Sequence, residues 1–246
     1  MDRLVYVGMA GARDATLAQA RITNNLANAT VPGFRADLTR IRSLPLYGPG
    51  QPARVVPQAE PVGADLAPGT VQATGRPLDV AIDGRGWIAV QAPDGGEAYT
   101  RAGDLRVNSA GLLTTGAGHP VLGENGPIAV PPAESLEIAP DGTISARLVG
   151  EGATGLVVLD RIRLVSAPDD VLQKSLDGLF RARIPGQAKP DAAVRLKPQA
   201  LESSNVSTVG AMAELIGMAR NFEIQVRLMK TAEENDAATQ QLLRLG

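Results

Sequence analysis

The residues able to do chemistry are few and poorly placed for it. The single histidine, His119, sits in Gly118-His119-Pro120-Val121, and the chain has no cysteine. One histidine without thiolates leaves no standard transition-metal site, and a nucleophile activated by histidine would depend on this one residue. A turn or surface histidine is the expected reading. Asp79 and Asp83 invite comparison with the carboxylate pair of a glycosidase. Four residues apart on an extended strand, they would lie about 13 Å from each other, beyond the ~5–9.5 Å that such chemistry uses. Asp83 reads better as the start of a turn. Gly84-Arg85-Gly86 lacks the third glycine and following helix of a dinucleotide loop. The sequons Asn28-Ala29-Thr30 and Asn205-Val206-Ser207 fall at predicted helix ends. No catalytic, cofactor-binding or metal-binding residue is expected, and no small-molecule substrate.

Composition narrows the partners. The net charge is −2 and the basic residues are scattered, so a polyanion has no footprint to bind and nucleic acid is not expected. At 3 % aromatic residues, stacking platforms for bases or sugars are also disfavoured. Arg13 and Asp14 cut the apolar run at the N-terminus, which argues against a signal peptide, and no stretch is long enough for a transmembrane helix. Without cysteine, stability must come from a core or from assembly.

The elements that must organise the chain lie at its ends. From Val206 to Leu245 there is no proline, and apolar residues fall at Val209, Met212, Ile216, Ala219, Phe222, Val226 and Met229. Steps of three and four place them on one stripe of a helix over 206–244, about 58 Å long. So long and narrow a seam asks for a partner helix. Residues 3–29 offer one, with Leu4, Val7, Gly8, Gly11, Ala15, Ala18, Ile22, Leu26 and Ala29 on one face, many of them small. This helix ends near Asn24, Asn25 and Asn28, before the breaker Val31-Pro32-Gly33-Phe34. The two asparagines are read equally well as polar surface or as specific interhelical hydrogen-bonding groups.

Between the helices the composition changes. Seven prolines between 45 and 77 predict an extended connector, with short strands possible near Arg54 to Val56. From 78 to 203 short apolar runs alternate with Asp-Gly and Gly-Gly turns, as in Leu78–Ile82 and Trp87–Val90 around Asp83-Gly84-Arg85-Gly86. Around Gly142, Ile144, Ala146 and Leu148 face one way and Thr143, Ser145 and Arg147 the other. The expected fold is therefore mixed but mainly β. A central β domain closed as a barrel or sandwich spans 78–203. The terminal helices, within 1–35 and 204–246, pack as a coiled-coil-like inner domain, and 36–77 is the connector.

Three stretches carry a resemblance to a known family. Asn24-Asn25-Leu26-Ala27-Asn28-Ala29-Thr30-Val31-Pro32-Gly33-Phe34-Arg35 resembles the N-terminal signature of flagellar rod and hook proteins. Asp79–Trp87, followed by Tyr99-Thr100-Arg101-Ala102-Gly103, is similar to the central β motif of that family. Leu201-Glu202-Ser203-Ser204-Asn205-Val206 matches its C-terminal signature. The opening Met1–Tyr6, Ala29, and Phe222-Glu223 with Gln225 resemble a proximal-rod member more than a distal-rod one, while a distal-rod or hook protein is the alternative. The resemblance implies a structural subunit of the basal-body rod in the periplasm, forming a drive shaft and export channel. It implies as partners further copies, other rod proteins and the flagellar type III export apparatus, with export that leaves no cleaved signal. It also implies that the two apolar helix faces are assembly surfaces. A periplasmic wall-acting enzyme, the reading of another class, would need convergent carboxylates that the sequence does not offer.

Overall fold

The computed structural model describes residues 2–45, 55–148, 156–168, 171–184 and 186–244. They form two compact units, one of residues 1–27, 37–63 and 206–246, the other of 28–36 and 64–205. The extended segment anticipated at 36–77 is divided between them.

The first, helical unit contains α1 (Asp2–Ala27), the paired strands β1 (Asp37–Pro45) and β2 (Val55–Ala64), and α2 (Thr208–Arg244). Ser207 caps α2, its hydroxyl accepting the Gly210 N–H at 3.2 Å, which satisfies one of the orphan donors of a helix start. The helices run antiparallel, because Gly8 faces Met229 whereas Gly11 faces Gln225. The prolines of β2 are tolerated because a two-stranded sheet has only edges.

Among the described residues the second, β unit holds fifteen short strands. In chain order they are β3 (Val71–Ala73), β4 (Val80–Asp83), β5 (Trp87–Gln91), β6 (Glu97–Thr100), β7 (Arg106–Val107), β8 (Leu113–Thr114), β9 (Ala133–Ile138), β10 (Thr143–Leu148), β11 (Leu156–Arg161), β12 (Leu164–Ser166), β13 (Leu172–Lys174), β14 (Phe180–Ala182), β15 (Lys189–Pro190), β16 (Arg195–Pro198) and β17 (Ala200–Glu202). The largest sheet has the order β13-β14-β6-β5-β12-β15, and a three-stranded sheet the order β11-β10-β9. The remaining pairs are β16-β4, β17-β3 and β7-β8.

This arrangement corrects the expected fold class. Among the described residues no sheet closes into a barrel, and the strands are spread over several separate sheets. Barrel closure needs strands long enough to tilt and pair continuously around a ring. Here they run two to six residues before a glycine or proline turn, too short to pass the ladder on. The central strand β5 is instead buried on both faces. Ile88 and Val90 join one core with Leu105, Val121, Ile144 and Leu196. Trp87 and Ala89 join another with Tyr99, Val165 and Phe180, as the two-residue period of a strand requires. The coiled-coil-like helix packing is corrected as well. The helices meet over small residues, whereas most of the anticipated α2 seam points away from α1.

Burial pushes the Tyr99 phenol up to about 12, and the neighbouring Glu97 charge adds to the effect. A raised folded-state value favours the neutral form, so this contribution to stability is complete below pH 10.0 and is lost as pH rises toward about 12. Alkaline unfolding of the purified protein should show that loss, and Tyr99→Phe should remove it from the same window. An unchanged alkaline profile in Tyr99→Phe contradicts the assignment.

Candidate functional site

The residues first considered for chemistry are dispersed. His119 lies half-buried in a turn, its backbone N–H donating to the Thr115 hydroxyl at 3.2 Å. Asp79 is buried, 3.5 Å from Arg76 Nη1, whereas Asp83 is exposed at the end of β4. Among the described residues no group of three His, Cys, Asp or Glu is placed to hold a metal ion. Nor is any helix among them long and apolar enough to cross a membrane.

The structure instead concentrates polar interactions where the signature stretches meet within the β unit. Gly33 has φ 68°, and its N–H donates to the Glu202 backbone carbonyl at 2.8 Å. A Cβ on Gly33 would lie 2.2 Å from the Arg101 carbonyl carbon, so only glycine allows the approach. The Glu202 carboxylate, 1 % exposed, accepts from Arg35 Nη2 at 2.5 Å, from Arg101 Nη1 at 3.0 Å and from the Gly69 N–H at 2.8 Å. Arg101 also donates to the Gly84 carbonyl at 2.7 Å and stands over the Trp87 ring at 5.5 Å. Arg35 is buried too, and its Nε and Nη1 have no hydrogen-bond partner. Beside it, Lys174 donates to the Arg35 carbonyl at 2.7 Å and lies 3.9 Å from the centroid of the Phe34 ring.

Two asparagines of the signatures act as brackets. Asn205 accepts the Ala36 N–H at 2.8 Å and donates to the carbonyls of Asp65 at 2.9 Å and Ala67 at 3.0 Å. In the helical unit, the Asn25 amide accepts the Asp37 N–H at 2.8 Å and donates to the Asp37 carbonyl at 3.0 Å, closing a small ring at the start of β1. Of the two readings for Asn25, neither plain surface nor an interhelical bond describes this. Asn24 is exposed. Pro32, Leu201 and Ser204 are half-buried in the β unit, whereas Leu26, Ala27 and Asn28 lie where α1 ends, and Val206 just before α2. Arg35 and Arg101 stood inside the quoted stretches, yet nothing marked them as a pair. The usable signal was local: each is flanked on both sides by an uncharged residue, Phe34 and Ala36 or Thr100 and Ala102.

The helical unit holds the second feature. On α1 the small residues turn inward: Ala12, Ala15 and Ala18 are buried, and Val7, Gly11, Ile22 and Leu26 partly so. The Leu4 side chain lies outside the described residues. A Cβ on Gly8 would come within 2.7 Å of Met229 Cγ, and one on Gly11 within 2.8 Å of Gln225 Cδ. The helices therefore approach closely because these positions carry no side chain. The sheltered face of α2 includes Ala211, Leu215, Met218, Gln225 and Ala232. Beside it, Val209 is 77 % exposed, Met212 53 %, Ile216 54 %, Phe222 39 % and Val226 43 %, while Ala219 and Met229 are half-buried. Two stripes thus run along α2, and the more apolar one is left open.

Comparison with known proteins bears on both features. The family model for the flagellar hook protein FlgE/F/G D1 domain matches residues 81–146, and that for the flagellar basal body rod FlgEFG protein C-terminal region matches residues 197–242. The chain is 43 % identical to the flagellar basal-body rod protein FlgF of Escherichia coli strain K12, over 100 % of both chains. It is 32 % identical to the FlgF of Caulobacter vibrioides, again over 100 % of both. With the basal-body rod protein FlgG of Bacillus subtilis it shares 29 % identity over 95 % of this chain and 96 % of the relative.

Proposed function

The chain belongs to the FlgF group of flagellar basal-body rod proteins, and from that premise we propose that it is a structural subunit of the proximal rod. The observation that carries the mechanism is the open apolar stripe of α2. Val209, Met212, Ile216, Phe222 and Val226 dock against neighbouring axial subunits, while Val7, Gly11, Ala15, Ala18, Ile22 and Leu26 hold α1 against α2. Each large apolar side chain that becomes fully buried contributes roughly 1.5–3 kcal/mol. An open-ended helical assembly uses heterologous contacts, so the stripe meets a different surface on its neighbour. The partners are further copies and the other rod proteins. The product is a tube that transmits torque and passes exported chains. The subunit reaches the periplasmic rod through the flagellar type III export apparatus. Its role is architectural, without a reaction to catalyse.

Complementation tests the assignment. Expressed in a strain lacking its own proximal-rod gene, the chain should restore swimming and be recovered in purified basal bodies. Restoration of a distal-rod mutant instead would move the subunit along the axis. Rescue of neither mutant would remove the reading.

A further inference from the structure

Both helices of the helical unit carry an outward line of residues. On α1 it runs through Tyr6, Met9, Arg13, Leu17 and Ala20 at steps of three and four, and all five are exposed. The line lies on the side away from the buried Ala12, Ala15 and Ala18. On α2 the open stripe continues through Ile216, Ala219, Glu223 and Val226, again at steps of three and four. Each line holds a single charge, Arg13 on α1 and Glu223 on α2 over these positions. Among the described residues neither charge has an ion-pair partner. We infer that the outward line of α1 on one copy fills the open stripe of α2 on the next copy, with Arg13 paired to Glu223 across the contact.

The register inside the subunit sets the level of each residue along the helices. Gly8 faces Met229 and Gly11 faces Gln225 across the antiparallel pair. Two residues further along each helix, Arg13 stands level with Glu223. The same register sets Leu17 level with Ala219, Ala20 with Ile216, and Met9 within one residue of the level of Val226. A neighbour lying alongside in the same orientation, with no shift along the helices, therefore brings the unlike charges together. It also sets a large side chain against a small one twice, Leu17 on Ala219 and Ile216 on Ala20, as interdigitating helices require. A slip of four residues sets Arg13 against Ala219 in one direction and near Arg227 in the other. The charges thus select one register, since like charges across a contact are costly. Two copies joined through their α2 stripes would leave Tyr6, Met9 and Leu17 open and would end at a dimer. The α1-to-α2 contact is heterologous, so every copy added still offers a free face and the array continues. Its role in the cell rests on the rod assignment above.

The test uses the purified full-length chain at high concentration, where the lack of cysteine leaves introduced thiols as the only ones present. With Leu17→Cys and Ala219→Cys in one chain, oxidation should yield a ladder of dimers, trimers and longer products. The two positions sit on outward lines of their own helices, so the bridge forms between chains rather than within one. Either cysteine alone should stop at a dimer. Leu17→Cys with Val209→Cys, about 15 Å off the matched level, should give a far weaker ladder. Glu223→Arg should weaken the matched ladder about tenfold by setting two cations together, and adding Arg13→Glu should restore it. Both charges are exposed, so these variants should keep the unfolding midpoint of the parent chain. The absence of a ladder, an equal ladder from the mismatched pair, or no recovery in the double reversal overturns the pairing. Complementation separates this result from the rod assignment. A ladder from a chain that fails to complement leaves the pairing standing and removes the rod. Complementation without a ladder leaves the rod standing and gives the stripe to another rod protein.

Discussion

A strain whose subunit carries Ile216→Asp is expected not to swim, although the purified variant should be as stable as the parent chain. Ile216 is 54 % exposed on α2 and lies beside the face that meets α1. Its replacement therefore removes little burial from the subunit, and surface changes of this kind stay within about 0.5 kcal/mol. The helix itself tolerates the change, because isoleucine and aspartate differ little in helix propensity. In an assembled rod the same position would place an unpaired carboxylate in an apolar contact, at a cost of several kcal/mol per subunit. A contact repeated by every copy multiplies that penalty, so assembly fails well before folding does. Phe222→Asp, at the next part of the stripe, should behave alike. Swimming through soft agar together with the unfolding midpoint of the purified protein checks both halves. Normal motility in either variant would refute the assignment of the stripe to assembly.

The second large effect concerns Gly33. Its φ of 68° is strained for an alanine, and the added Cβ would fall 2.2 Å from the Arg101 carbonyl carbon and 2.5 Å from the Ala102 nitrogen. Those are backbone atoms and cannot turn aside, so the 28–36 stretch must withdraw from Arg101 and Glu202. The expected loss for Gly33→Ala is about 2–5 kcal/mol, from left-handed strain together with overpacking. Gly75 is the matched control. Its φ is 73°, and a Cβ there meets nothing within 4 Å. Gly75→Ala should therefore cost only the strain, about 1 kcal/mol. Urea midpoints of the two variants isolate the clash, and equal losses would show that the close approach contributes nothing.

The first expectation depends on which stripe of α2 meets α1, and that could not be read from α2 alone. Its inner face includes Ala211, Gln225 and Ala232, which look unremarkable beside the line of Met212, Ile216 and Phe222. The choice follows from α1, where Gly8 and Gly11 allow an approach so close that only small or flexible partners fit.

What the sequence by itself determined was local in origin. The helices expected over 3–29 and 206–244 are Asp2–Ala27 and Thr208–Arg244, because proline-free runs of helix formers and a capping serine act within a few residues. The alternation after Gly142 is also present, with Ile144 and Ala146 buried and Thr143, Ser145 and Arg147 partly exposed, since strand periodicity is set by the backbone. The turn that starts β10 is equally local: hydrogen bonds from Thr143 hold the Asp141 carboxyl below the usual carboxylate range. Tertiary structure decided the rest. It set Val80 opposite Pro198 and Val71 opposite Glu202, left the sheets open, and brought Arg35 and Arg101 onto one carboxylate. Each of these depends on which distant surfaces meet, and no propensity of a single segment encodes that.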